Sequence, residues 1–451
     1  MVVFDAEKGM KFSPDLFDSK PLYKLMTSVL HRGYRLFLYE KSHGNRRNYM
    51  LLRAYQTGKN IIRSIAASLL IGVIVGAIDA VFGRGLLAIS DFRTEHFTYL
   101  IPFLPIAGLL IVWMYHHFSE ISTKGMTLVL EMGQGKRKEI PMLLAPLVLV
   151  GTWITHLFGG SAGREGVAVQ IGAVVSSQIE QRFHLCGDKK KMLITGMAAG
   201  FGGLFQTPLA AAFFAIEVIT AGKMEYGALL NSLVAAYTAS YTSHFLGLAK
   251  FAVPIQSALN MSQPCVLGPV ILFGVIFGLT GRFFAVSLKY AKEKMSRFFR
   301  NPYVRIGLVS IPLAIILTLL YQGRYSGLGT NLIAAAFEGQ TIFAYDWLLK
   351  ILLTILTLSI GFQGGEVTPL FSIGASLGVI VGEVFGLPPE VCAALGYAAV
   401  FGSATNTLIA PVLIGLEVFG TDNAVVLVLV CTVAYLVNGN RSIYTAQQLE
   451  C

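Results

Sequence analysis

Apolar residues in this chain gather in blocks that approach the length of a membrane span. The runs 61–81, 99–115, 142–157, 267–286, 306–320 and 348–362 carry few charges, and two further apolar blocks, 192–220 and 391–437, are rich in Gly. A helix needs roughly 20 apolar residues to cross a bilayer. Many of the blocks are shorter than that, or are interrupted by Gly and polar residues. They predict broken helices whose ends meet inside the membrane, where each freed backbone group must find a partner within the protein. The pattern predicts an all-α membrane protein of many passes.

Composition supports that reading. Of the 451 residues 54% are hydrophobic and only 13% charged, against roughly 25% charged in soluble domains. The net charge of +10 is concentrated in 32–63, in Lys136-Arg137-Lys138, in Lys189-Lys190-Lys191 and in 289–305. These clusters are expected on the cytoplasmic side. Each abuts an apolar segment, so a nucleic-acid partner is set aside in favour of the lipid bilayer. Residues 15–55 are mixed polar and basic and predict amphipathic cytoplasmic helices rather than a cleavable signal peptide. The N-terminus is accordingly placed in the cytoplasm, and the short termini suggest a bacterial inner membrane without a C-terminal regulatory domain. The five cysteines, Cys186, Cys265, Cys392, Cys431 and Cys451, show no CxxC pair and no metal spacing. They are expected to be small buried hydrophobes, with no metal or cofactor implied.

The chain repeats itself. Gly196-Met-Ala-Ala-Gly-Phe-Gly202 matches Gly396-Tyr-Ala-Ala-Val-Phe-Gly402, and Glu217-Val218 falls on Glu417-Val418. Upstream, Ile171-Gly172-Ala173 falls on Ile373-Gly374-Ala375, which sets Gly163-Arg164-Glu165-Gly166 opposite Gly365-Glu366-Val367-Thr368. Halves of this kind are a hallmark of transporters, with the substrate site between them near the bilayer midplane. The segments divide into 1–58, a basic N-terminal helical segment, then 59–250, a first transmembrane repeat, and 251–451, a second repeat with a C-terminal helix. Whether the halves are inverted or parallel is open at this level. The symmetric Glu217 and Glu417 are expected to be structural.

Chemistry concentrates where the halves correspond. In Gly159-Gly-Ser-Ala-Gly-Arg164-Glu165-Gly166, glycines precede an apolar helix, allow close backbone approach and leave its first N–H groups free for an anion. Glu165 sits at that N-terminus, where the helix dipole favours a carboxylate. A carboxylate there competes with an anion for the same donors and releases them when protonated, which couples anion movement to protons. The bland alternative is a capping Glu paired with Arg164. In the mirror segment Pro369 suits a first helical turn. Thr368 adds a hydroxyl, and the N–H groups of Val367 and Thr368 are candidate donors. Lys124-Gly125-Met126-Thr127 is a further candidate helix end, and Tyr444, just past the last apolar run, offers a phenol. Core filler and interfacial aromatic are the ordinary readings of Met126 and Tyr444. Glu366 has no evident partner, and Arg164, Lys124 and Lys350 are candidates.

Gly125-Met126-Thr127, Gly163-Arg164-Glu165-Gly166, the Glu217 segment, Ser326-Gly327-Leu328-Gly329, Gly365-Glu366-Val367-Thr368-Pro369 and Tyr444 occur in that order over about residues 60–445. In this the chain resembles the CLC family. The resemblance implies a homodimer with one pore per subunit, each subunit an inverted repeat of tilted, partly broken transmembrane helices. It makes Glu165 the gating glutamate and places Gly125, Met126, Val367, Thr368 and Tyr444 along the anion path, with Arg164 and Glu366 behind them. Three features depart from chloride-type members. Met126 replaces their anion-binding serine, Val167 replaces the proline after Gly-Arg-Glu-Gly, and Val218 stands where chloride/proton exchangers carry an inner glutamate. Together with Gly-Glu-Val-Thr-Pro they resemble the fluoride/proton antiporter branch. The implied function is export of fluoride against protons; the alternative is a chloride/proton exchanger or chloride channel. No HExxH or P-loop supports an enzyme.

Overall fold

The computed structural model describes residues 3–5, 9–11, 46–183, 187–260 and 263–450, in two compact units, Met1–Ile62 and Arg63–Cys451. In the first unit, strands β1 (Val3–Asp5) and β2 (Gly9–Lys11) form an antiparallel pair with Val3 opposite Lys11. The amphipathic helix expected over 15–55 falls outside the described residues up to position 45. From Arg46 the chain is helical, and α1 (Arg46–Glu95) runs unbroken through positions 58 and 59.

The second unit is helical almost throughout, and the sequence repeat reappears as paired elements. The first half contributes α2 (Leu104–Phe118), α3 (Met126–Gly133), α4 (Leu144–Leu157), α5 (Glu165–Phe183), α6 (Lys189–Phe205), α7 (Pro208–Glu217) and α8 (Leu229–Phe245). The second contributes α9 (Pro264–Phe298), α10 (Pro302–Leu319), α11 (Thr330–Phe337), α12 (Asp346–Ile360), α13 (Val367–Phe385), α14 (Pro389–Thr405), α15 (Ile409–Phe419) and α16 (Ala424–Asn438). α9 is the counterpart of α1, and the remaining helices correspond in order. Even the ends agree: α6 closes on Gln206 and α14 on Asn406, both left-handed. Beyond α16 the described residues are not helical. They form a strap that ends in β4 (Gln448–Leu449), paired in parallel with β3 (Thr220–Ala221).

Length and packing explain the Gly-rich blocks. Windows within α1, α9, α10 and α13, and in the helical run Phe97–Phe118 that ends with α2, are long and apolar enough to cross a membrane. In contrast, α7 has 10 residues and α3 has 8; at 1.5 Å per residue they reach about 15 and 12 Å, half a bilayer or less. In α5 and α6 the backbones nearly touch, because a Cβ on Gly172 would run into the carbonyl of Gly196. The same holds in α13 and α14, where a Cβ on Gly374 would meet the carbonyl of Gly396. Small residues let helices approach where lipid gives no hydrophobic drive for association.

The short helices show how the halves are related. Glu217, at the end of α7, accepts from the N–H groups of Leu408, Ile409 and Ala410 at the start of α15, the last at 3.2 Å. Glu417, near the end of α15, accepts from the N–H groups of Leu209 (3.1 Å) and Ala210 (2.8 Å) at the start of α7. Each helix is capped by the far end of the other, so the two run antiparallel. Equivalent elements therefore point in opposite directions, and the halves are inverted. A helix start inside the bundle has no water to satisfy its N–H groups, and each half supplies the missing acceptor to the other. The observed geometry of Glu217 and Glu417 is that of reciprocal caps.

Candidate functional site

The loops before α5 and α13 cross at the centre of this pseudo-symmetric arrangement. Gly163 donates to the carbonyl of Gly365 at 2.6 Å, and Gly365 returns the bond to Gly163 at 2.8 Å. A Cβ on Gly163 would lie 2.8 Å from Pro369 Cδ and 3.0 Å from the Gly365 carbonyl. Glycine is what lets the loops meet, and their meeting brings the starts of two helices to one place. Both starts carry N–H groups that have no acceptor within their own helix, and the positive end of a helix dipole.

Glu165 occupies that place. It is fully buried, and its Oε2 accepts from the hydroxyl of Thr368 at 2.5 Å and from the Thr368 N–H at 3.1 Å. A third, longer bond of 3.3 Å comes from the Arg164 N–H. Its other oxygen makes a 3.5 Å ion pair with Arg164 Nε. The carboxylate thus lies across the start of the opposite half's helix as well as its own. Both features foreseen for it, the Arg164 pair and the anion-type donors, are present together.

A cavity of 640 Å³ borders this region. Gly125, Met126, Gln170, Glu366 and Tyr444 line it together with Lys124, Lys289, Lys292, Arg300, Arg305 and Glu120. α3 begins at Met126, and Gly125 before it takes a positive φ of 49°. Tyr444 is carried by the strap, buried, with its ring 6.4 Å from that of Phe214. Thr368 and Val367, in the first turn of α13, are both buried. The structure thus gathers Glu165 and Thr368 in direct contact and sets Met126, Glu366 and Tyr444 on the wall of one cavity.

Partners of the other charged groups differ from the sequence expectations. Arg164 pairs with Glu165 rather than Glu366. Glu366 faces the cavity and pairs with Lys292 on α9 at 3.5 Å. Lys350 is buried without any exposed surface, yet it bonds no carboxylate. Its Nζ donates to the Ser161 hydroxyl (2.9 Å) and to the carbonyls of Tyr325 (3.0 Å) and Gly327 (2.8 Å). Buried ammonium groups need full hydrogen bonding, and here it braces the loop before Glu165 against the Ser326–Gly329 segment. Sequence reasoning also passed over Gln170. Its Nε2 donates to the Gly166 carbonyl at 3.1 Å, and its buried Oε1 is left toward the cavity without a partner. Position i+4 from Gly166 on the helix is the signal that was there to be read. Lys292 lies in a basic run and carried no such signal.

The chain is similar to several known proteins over most of its length. A model of the voltage-gated chloride channel family matches residues 107–439. The chain is 33% identical to a chloride/fluoride channel protein of Pseudomonas syringae pv. tomato, over 86% of this chain and 87% of that one. It is 24% identical to the H(+)/Cl(-) exchange transporter ClcA of Vibrio cholerae, over 78% and 80% of the two chains. Among solved structures it is similar to a CLC-type fluoride/proton antiporter, with a TM-score of 0.85 and 51% identity over 86% of this chain and 98% of that one. A slow cyanobacterial Cl-/H+ antiporter shares the fold, with a TM-score of 0.73 at 20% identity over 85% and 96%.

Proposed function

This chain belongs to the voltage-gated chloride channel (CLC) family, and we propose that it exports fluoride in exchange for protons, with Glu165 as the gating carboxylate. The observation that carries the reading is the contact of the buried Glu165 carboxylate with the N–H and hydroxyl of Thr368. Those donors suit a small anion that is a strong hydrogen-bond acceptor. The 51% identity to a solved CLC-type fluoride/proton antiporter over most of both chains supports fluoride as the anion.

Protonation of Glu165 from the outer side removes its charge and weakens its hold on Thr368. The carboxyl swings into the pore, fluoride takes the Thr368 donors, and the two exchange places. Met126 and Tyr444 flank the ion at the wall of the basic cavity, and Gly125 and Val367 frame the two helix starts. The lysines and arginines of the cavity raise the local anion concentration. Val218, where chloride/proton exchangers carry an inner glutamate, is buried in the apolar core, so the proton does not leave through that position. Hydrofluoric acid crosses membranes and ionises in a neutral cytoplasm, trapping fluoride. Inward protons are the natural driving force for removing it.

The protein works as a homodimer in the cell's inner membrane, with its N-terminus and the basic cavity on the cytoplasmic side. The test is ion efflux from proteoliposomes, with fluoride and chloride compared and external pH recorded. Fluoride efflux with proton uptake, lost in Glu165→Gln, is the expected result. Comparable chloride flux would move the protein to a chloride exchanger or channel. Proton-driven transport surviving in Glu165→Gln would remove the glutamate from its role.

A further inference from the structure

A second cleft, of 670 Å³, lies between α9 and the strap, and we propose that it binds the phosphate headgroup of an anionic membrane phospholipid. Its α9 side is one helical stripe: Leu279, Arg282, Phe283, Val286, Lys289, Tyr290 and Glu293 recur at spacings of three and four. The stripe changes character along its length. Leu279, Phe283 and Val286 are large apolar groups left 50%, 47% and 44% exposed by the described residues. From residue 289 onward it is polar, with Tyr290 at the crossover, where interfacial aromatics sit. The helix thus passes from hydrocarbon to headgroup depth beside the cleft.

The opposite wall comes from the strap and carries Arg441, Ser442 and Thr445. The strap turns closely around the α9 guanidinium: Gly439 has a φ of +65°, and a Cβ there would lie 3.1 Å from Arg282 Nη1. Arg282, Lys289 and Arg441 thus converge on one cleft from segments about 150 residues apart in sequence. Among the described residues none of the three is ion-paired to a carboxylate. The cleft holds one acidic residue, Glu293, against these three cations. An ordinary basic belt scatters charge along a membrane edge. This is a cleft that joins three cations to an exposed apolar stripe, which fits an amphiphile whose phosphate meets the cations and whose chains lie along Leu279, Phe283 and Val286.

Tyr444 gives the site a consequence, because it lines this cleft as well as the cavity that borders the Glu165 region. Next to it, the Ile443 N–H is held by the Ala404 carbonyl at 2.8 Å. A headgroup bound to Arg441 and Arg282 fixes the strap and therefore Tyr444, so bound lipid tunes the rate of transport.

The test compares the full-length protein with the double variant Arg282→Gln/Arg441→Gln. Retained anionic phospholipid is measured by native mass spectrometry, and anion efflux is measured in zwitterionic vesicles with and without anionic phospholipid. The first readout does not depend on which anion is carried, so it survives failure of the fluoride reading. A cation near an anionic lipid surface is worth roughly fivefold in affinity, so the double variant is expected to retain the lipid about twenty-five-fold more weakly. It should also lose the stimulation by anionic lipid while matching the parent in zwitterionic vesicles. Equal lipid retention by variant and parent would overturn the site. If inorganic phosphate alone reproduced the lipid's effect in zwitterionic vesicles, the lipid assignment would be overturned in favour of a free phosphate.

Discussion

Replacing Thr368 with Val removes one hydroxyl and little else, since the two side chains are nearly the same shape. In the structure that hydroxyl donates to Glu165 Oε2, while the Thr368 N–H supplies a second bond at 3.1 Å that the substitution leaves in place. A hydrogen bond to a charged acceptor contributes about 1.5–3 kcal/mol. If fluoride takes the position of the carboxylate oxygen, the variant should bind it roughly tenfold to a hundredfold more weakly, at about 1.4 kcal/mol per decade. Competition sharpens the prediction. An ionised Glu165 competing for these donors loses the same bond as fluoride, so the two losses partly cancel and the half-saturating fluoride concentration shifts little. Where acid protonates the carboxyl and takes it out of the competition, the full loss appears. The assay is initial-rate fluoride efflux from proteoliposomes at several internal fluoride concentrations and two external pH values. Thr368→Ser, which keeps the hydroxyl, serves as the control and should behave like the parent. The reasoning fails if half-saturation in acid is unchanged in Thr368→Val, or if Thr368→Ser is as impaired as Thr368→Val.

The helix caps make a separate prediction about stability. Glu217→Ala strips the acceptor from three backbone N–H groups and Glu417→Ala from two. At about 1–3 kcal/mol for each buried group left unpaired, both should lower the melting temperature in detergent, Glu217→Ala more, with Glu217→Gln between it and the parent. An unchanged melting temperature in Glu217→Ala would remove the capping role. Gly196→Val drives a side chain into the Gly172 carbonyl and Ser176 Oγ and should abolish folded protein on size-exclusion chromatography. Gly268→Ala, where a Cβ meets nothing within 4 Å, should leave the yield unchanged.

The sequence by itself determined the helical, membrane-spanning character of the chain and the correspondence of the two halves, but not where each helix begins and ends. Those features are written in local chemistry: blocks of apolar residues, Gly where backbones touch, and an intramembrane Glu recurring at an offset of 200 residues. It also marked Glu165 and Thr368 as residues at helix starts, because Gly before an apolar run and Pro369 after Thr368 are local signals. Only the tertiary structure decided what those starts face. The inversion of the halves follows from α7 and α15 capping each other, and it sets Glu165 of one half on Thr368 of the other. The charge partners were equally out of reach. Glu366 turned to Lys292 on α9, and Lys350 met two carbonyls and a hydroxyl instead of a carboxylate. The physical reason is common to these cases. A buried polar group is stabilised by whichever donor or acceptor packing brings within about 3 Å, and for Lys350, Glu366 and Thr368 that neighbour comes from 23 to 203 residues away, where no local pattern records it.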